Sequence, residues 1–165
     1  MATCRHGFAI RFERSRFITL RGLTITGAGG PAITLRGGHH KNDAIHLERL
    51  RIFANGGVPA GDDQDDPREA SKEDREREPH RCQGGVRIGQ GNADTLIVNS
   101  LIYGNGGDGI RFADGPGGPH DLVQNTVHAN ERNGVRAGAG QEVFLVNNAI
   151  TDNGSAAGGG FGVNR

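Results

Sequence analysis

Val143-Phe-Leu-Val-Asn-Asn-Ala-Ile150 matches, position for position, His120-Asp-Leu-Val-Gln-Asn-Thr-Val127 and Thr95-Leu-Ile-Val-Asn-Ser-Leu-Ile102 before it. Ile45-His-Leu-Glu-Arg-Leu-Arg-Ile52 and Ile18-Thr-Leu-Arg-Gly-Leu-Thr-Ile25 are earlier copies of the same phrase. The third position is always aliphatic: Leu20, Leu47, Ile97, Leu122 and Leu145, separated by 27, 50, 25 and 23 residues. Setting aside an insert of about one repeat length makes the double step ordinary and leaves a period near 25.

A second phrase follows each copy after a Gly/Asn turn. It reads Ala32-Ile-Thr-Leu35, Gly85-Val-Arg-Ile88, Gly109-Ile-Arg-Phe112, Gly134-Val-Arg-Ala137 and Gly162-Val-Asn-Arg165, and Ala9-Ile-Arg-Phe12 precedes them all. Short runs that alternate apolar with polar suit strands showing one face inward and one outward. Helix is excluded by the Gly density and by the period. If each repeat is one coil of parallel strands, equivalent residues stack about 4.8 Å apart. The expected inward ladders are Leu20, Leu47, Ile97, Leu122, Leu145; Ile25, Ile52, Ile102, Val127, Ile150; and Ile10, Ile33, Val86, Ile110, Val135, Val163. Ser100, Asn125 and Asn148 form one turn column, and Asn55, Asn105, Asn130 and Asn153 the next. Their side chains are expected to bond backbone and neighbouring rungs while tolerating left-handed geometry.

Composition agrees with a thin, tightly turning repeat. Among 165 residues, 34% are hydrophobic, 29 are Gly and none is Trp, too little apolar material for a thick two-layer core. The balance of 19 basic against 19 acidic residues excludes a general nucleic-acid binder, which needs many unopposed Lys and Arg for phosphates. Cys4 and Cys82 lack CxxC or His/Cys metal spacing and read as free thiols. Met1 to Phe12 holds no signal-peptide-like apolar run, and no stretch approaches about 20 apolar residues, so a soluble chain without a membrane partner is expected. Localisation stays open, with an extracellular or periplasmic parent protein as one reading. With no helix to cover either open coil, the chain reads as a piece of a longer solenoid, whose further coils would be its partner, or as a unit that associates end to end.

The phrase Val146-Asn-Asn-Ala-Ile-Thr-Asp-Asn153, together with Gly109-Ile-Arg-Phe112, resembles the parallel β-helix repeat of pectate-lyase-like proteins. The resemblance covers nearly all of the chain outside the insert. It implies an all-β, right-handed single-stranded parallel β-helix of about five to six coils over 1–165, with one charged loop insert at 58–83. In that scheme Gly85–Ile88, Leu96–Val98 and Leu101–Tyr103 are the three strands of one coil. Lyases, epimerases, hydrolases and non-catalytic adhesins share the repeat, so it marks fold rather than reaction.

The insert carries Asp62, Asp63, Asp65, Asp66, Glu69, Lys72, Glu73, Asp74, Arg75, Glu76, Arg77 and Glu78 and cannot bury itself. A charged loop is the first reading, with a short helix over 66–78 the alternative. The acidic run is a candidate Ca²⁺ ligand set, although it lacks the Gly-punctuated spacing of a dedicated calcium loop; no other cofactor is expected.

Chemistry is sought on the outward side of the second phrase, where Arg11, Arg87, Arg111 and Arg136 recur at one position. Like charges one rung apart need compensation, either from carboxylates such as Asp94, Asp108 or Asp114, or from an acidic polysaccharide bridged by bidentate Arg contacts. In the resembling enzymes acidic polysaccharide lies on this face. Arg87, Arg111, Arg136 and Asp108 are therefore the candidate substrate-binding residues. The neighbouring loop Ala113-Asp-Gly-Pro-Gly-Gly-Pro-His-Asp121 concentrates Asp and His. Abstracting a proton beside a uronate carboxylate needs a base and a group that stabilises the enolate. His120 or Arg111 is the candidate base, Arg87 or Arg136 the neutralising cation, and Asp114 or Asp121 the residue that orients His120 or binds a metal. A satisfied structural role for His120 is the competing reading.

Gly118-Pro-His-Asp121 is similar to the Asp-Pro-His-Glu signature of alginate C5-epimerases, but Gly118 stands where the family has its first acid and Gly115 where it has a Tyr. Lyase or epimerase chemistry is thus one expectation, and a non-catalytic structural or adhesion module is the alternative. Val98, Val123 and Val146, with Leu96 and Phe144, form an outward apolar stripe for which a covering contact is expected.

Overall fold

Three-residue strands bounded by Gly and Asn corners can each turn only one or two aliphatic side chains inward, so stability has to come from stacking coil upon coil. The computed structural model describes residues 3–4, 7–56, 59–60, 84–154 and 163–164, and shows that stack. A six-stranded sheet runs in the order Val163–Asn164 (β18), Val135–Arg136 (β15), Ile110–Phe112 (β12), Val86–Ile88 (β9), Ile33–Leu35 (β5) and Ile10–Phe12 (β2). A middle sheet orders Gln141–Val146 (β16), Gly117–Val123 (β13), Thr95–Val98 (β10), Asp43–Glu48 (β6) and Arg16–Arg21 (β3). The third orders Ala149–Thr151 (β17), Thr126–His128 (β14), Leu101–Tyr103 (β11), Arg51–Phe53 (β7) and Thr24–Thr26 (β4). Every pairing within these sheets is parallel. The result is an all-β solenoid of about five turns, with, among the described residues, one 3-10 turn at Gly38–His40.

Register bears out the three aliphatic ladders. Leu20, Leu47, Ile97, Leu122 and Leu145 are successive partners, as are Ile25, Ile52, Ile102, Val127 and Ile150, and Ile10, Ile33, Val86, Ile110, Val135 and Val163. Phe112, Leu50, Leu35 and Ile88 join the buried column they make. The step of 50 residues between Leu47 and Ile97 is a single rung in space, which places the insert between adjacent coils.

The turn columns hold the coils together by directed bonds. At the corner between the middle and third sheets, Leu50 N donates to Ser100 Oγ (3.1 Å), Ser100 N to Asn125 Oδ1 (2.9 Å) and Asn125 N to Asn148 Oδ1 (2.9 Å). After the third sheet, the N–H groups of Ala28, Asn55, Asn105 and Asn130 donate to the Oδ1 atoms of Asn55, Asn105, Asn130 and Asn153. A third ladder, which the sequence reading missed, runs from Ser15 through Asn42 to Asn92. The left-handed residue is not the ladder Asn, as expected, but the one before it: Arg49, Asn99, Gln124 and Asn147 at one corner, and Ala54, Ala129 and Asp152 at the other, all have φ between 50 and 54°. One residue turns the chain, and the next aims its amide along the axis.

Two further differences concern expected loops. Gly117–His120 lies within β13, and its register to β16 shifts between Gly117 and His120. Thr3–Cys4 (β1) pairs antiparallel with Pro59–Ala60 (β8), joining the front of the insert to a strand that the sequence reading did not foresee. The expected helix over 66–78, the acidic run and Cys82 lie outside the described residues, as does the side chain of Cys4.

Candidate functional site

Alternation within the six-stranded sheet sends Ile110 inward and Arg111 to the other face. Register therefore stacks the intervening positions as Arg11, Thr34, Arg87, Arg111, Arg136 and Asn164, with the last three Arg on consecutive coils. Arg87 and Arg136 are half-buried, whereas Arg111 is only 9% exposed, so the column is not an open trench along its whole length. All four Arg have interaction partners.

Arg11 shows how one guanidinium is compensated. It stands 5.1 Å over the Phe8 ring and pairs with Glu13. Glu13 also receives Arg36 Nη1 at 3.1 Å and faces His40 Nδ1 at 3.8 Å. The hydrogen bond from Arg36, aided by the charges of Arg11, Arg36 and His40, holds the Glu13 carboxyl below its ordinary range despite some desolvation. Sequence reasoning named Asp94, Asp108 and Asp114 as compensating carboxylates and missed Glu13. An acid two residues beyond Arg11, on the corner that ends the same strand, was the available signal.

The expected acid–base quartet is not assembled. His120 belongs to the inward column of Ile18, Ile45, Thr95, His120 and Val143, and its ring is fully buried, 4.9 Å from that of Phe112. Gln141 Nε2 donates to Ala113 O (2.9 Å) and Gly115 O (2.6 Å), so its Oε1, 3.2 Å from His120 Nε2, is an acceptor. His120 therefore carries its proton on Nε2. Burial, the main cause, lowers its pKa, against opposing effects of the Gln141 bond and of Asp94 and Asp121. His120 thus lies inside the coil, as its competing structural reading expects, because it shares the inward face with Leu122 two residues on. Arg111, the other proposed base, is on the outer face of a different sheet.

The carboxylates separate in the same way. Asp108 is buried and its Oδ1 accepts both Asn133 N (3.1 Å) and Asn133 Nδ2 (2.7 Å), which makes it a rung-to-rung turn residue rather than an open ligand contact. Asp114 is exposed and accepts Ala139 N at 3.0 Å. Asp121 is exposed on the middle sheet between Leu96 and Phe144, facing away from His120 as its strand neighbour must. Among the described residues no group of three or more His, Cys, Asp or Glu is placed to hold a metal ion. The apolar stripe is present: Leu96, Val98 and Val123 are half-buried, while Phe144 and Val146 are each 47% exposed.

What the geometry offers is an outer face with regularly spaced cations, beside an interior whose Asn and Asp side chains bond to other rungs. No curated protein and no solved structure matches the chain. The family described as the right-handed beta helix region matches residues 6–164. With parallel coils, three sheets and that match over nearly its whole length, the chain belongs to the right-handed β-helix family.

Proposed function

We propose that this chain is a carbohydrate-binding β-helix module whose six-stranded sheet holds an acidic polysaccharide along the solenoid axis, one anionic sugar per coil. Its fold supports a carbohydrate-active or structural module in general. The observation behind the narrower reading is the register of Arg87, Arg111 and Arg136 on three consecutive coils. Unit charges at the rung spacing of about 5 Å repel by roughly 0.8 kcal/mol per pair even in water, so an anion lying along the file is attracted by several guanidiniums at once, in addition to the partners they already have. Guanidinium forks match carboxylate and sulfate geometry, and the half-buried Arg87 and Arg136 present surface for such contacts.

Binding is favoured over bond-making because His120 is interior and because Asp108 and Asp114 already hold backbone amides. The second reading, a structural or adhesion module, is supported by the three turn ladders, which make every coil a scaffold for its neighbour. Calorimetry with polygalacturonate, alginate and a sulfated glycan at low salt separates the two. The binding reading expects uptake that weakens with salt and drops about tenfold or more in Arg87→Ala and Arg136→Ala, with no rise in absorbance from new double bonds. A wild-type chain silent towards all three polymers is a scaffold instead.

A further inference from the structure

The corner between the six-stranded and middle sheets changes sign along the solenoid axis. On the first two coils, residues 11–16 and 36–43 carry Arg11, Arg14, Arg16, Arg36 and Lys41 against Glu13 and Asp43. On the next three coils the same corner holds Asp94, Asp114 and Glu142, with no Lys or Arg in 88–95, 112–120 or 137–143. Glu13 is taken up by Arg11, Arg36 and His40. Arg14, Arg16 and Lys41 are exposed, and among the described residues none of these three has an ion-pair partner. Main-chain bonds hold them side by side. Arg14 N donates to His40 O, next to Lys41, Ser15 N donates to Asn42 Oδ1, and Arg16 lies opposite Asp43 in the sheet.

Backbone conformation singles out the same corner. Arg14 has φ +51 and Phe17 φ +55, a region unfavourable for every residue but Gly. Two coils on, the place of Arg14 is held by Gly91, at φ +76 before ladder residue Asn92, and the places equivalent to Phe17 hold the smaller Ala44 and Asp94. Coil 1 thus puts large side chains where the fold tolerates them least. Packing does not offset the strain. Phe17 is 82% exposed, whereas the other exposed apolar side chains of the first and last coils reach only 41–51%. Strained residues without compensating contacts point to a surface kept for a ligand.

We infer that this corner is a binding site, distinct from the Arg file, for a short sulfated sugar or the sulfated end of a glycan. The face of the Phe17 ring packs on the C–H face of one pyranose, and Arg14, Arg16 and Lys41 take its sulfates. The footprint, from residue 14 to 17 along the chain and one rung across, is about 10 Å by 5 Å, room for one or two sugar rings. Charge limits the length as well, because a polyanion continuing along the corner meets Asp94, Asp114 and Glu142. Sulfate suits the cluster better than carboxylate, since it offers more oxygens to cations approaching from different sides. That the ring is a sugar rests on the carbohydrate reading above, whereas the need for an anion rests on the corner alone.

The test uses the full chain with a heparin tetrasaccharide, its desulfated form, inorganic sulfate and tetrathymidylate, followed by amide NMR shifts. The sulfated tetrasaccharide is expected to shift the amides of residues 14–17 and 41 and to bind most tightly of the four. Phe17→Gly and Arg14→Gly suit the left-handed backbone, so each should weaken that binding about tenfold while the thermal midpoint stays level or rises by about 1–2 °C. Absent corner shifts, equal or tighter binding of any of the other three probes, or wild-type affinity in both variants would overturn the inference. So would a midpoint lowered by more than about 5 °C, which makes these side chains part of the packing. The six-stranded sheet is read separately: Arg87→Ala and Arg136→Ala should lower uptake of long polygalacturonate and leave the corner shifts intact. Either site can therefore fail without the other, and loss of the corner shifts in those two variants counts against a distinct site.

Discussion

Leu122 and Leu145 are the same residue type at the same place in adjacent coils, yet one is 1% exposed and the other 41%. Their strands, turns and inward direction are alike, so the difference lies in whether a rung lies on both sides. In a solenoid the worth of a core residue is a nearest-neighbour quantity. The same holds for the polar ladders. Asn125 links rungs in both directions, through Ser100 N, Ile97 O and Asn148 Oδ1. Among the described residues Asn148 has only the inner set, Asn125 N, Asn125 Nδ2 and Leu122 O.

The largest expected effect breaks the aliphatic pair. Leu122→Ala should cost about 3–4 kcal/mol in urea unfolding, from lost burial plus a cavity between rungs, while Leu145→Ala should cost about 1 kcal/mol. Equal losses would mean that the last coil is covered. Next, Asn125→Ala should cost about 2–3 kcal/mol because it strands a buried N–H and a buried carbonyl, against about 1 kcal/mol for Asn148→Ala.

Acid sharpens the comparison from inside a middle coil. His120 in the fold holds its proton less tightly than in the unfolded chain, where its value is near 6.5. The unfolded state thus binds the extra proton first: stability contributed by neutral His120 is complete above about pH 6.5 and is lost as pH falls towards the lowered folded value. Unfolding midpoints between pH 7.5 and 5.5 should drop in the wild type, and the drop should shrink in His120→Gln. The smallest effect is a gain. Ala129 has φ +50 where the rung below has Gly104 at φ +58, so Ala129→Gly should raise stability by about 0.5 kcal/mol, read as a rise in thermal midpoint.

Much of this architecture is legible in the chain because the repeat is one-dimensional. Period places Ile97 over Leu47 across the insert, and alternation places Arg87, Arg111 and Arg136 in one file, without any knowledge of how sheets pack. The Asn42–Asn92 ladder escaped because the corner it occupies varies in length from coil to coil. His120 was legible in part, since it opens the phrase His120–Val127 two residues before inward Leu122, whereas the pairing of Gly117 and the register shift before His120 were hidden by the Pro and Gly there, which read as loop. The burial of Arg111 and the partners of Glu13 depend on side chains from other coils and have no sequence spacing to betray them.

By itself the sequence determined the coil, its register and the members of the three aliphatic and two of the turn columns, since vertical neighbours repeat at a near-constant interval and strand alternation assigns each a face. Tertiary structure alone decided which members of a column are sheltered and which polar atoms find acceptors. Those outcomes depend on distances between neighbouring rungs and on the direction of their hydrogen bonds, and a periodic string of residues encodes neither.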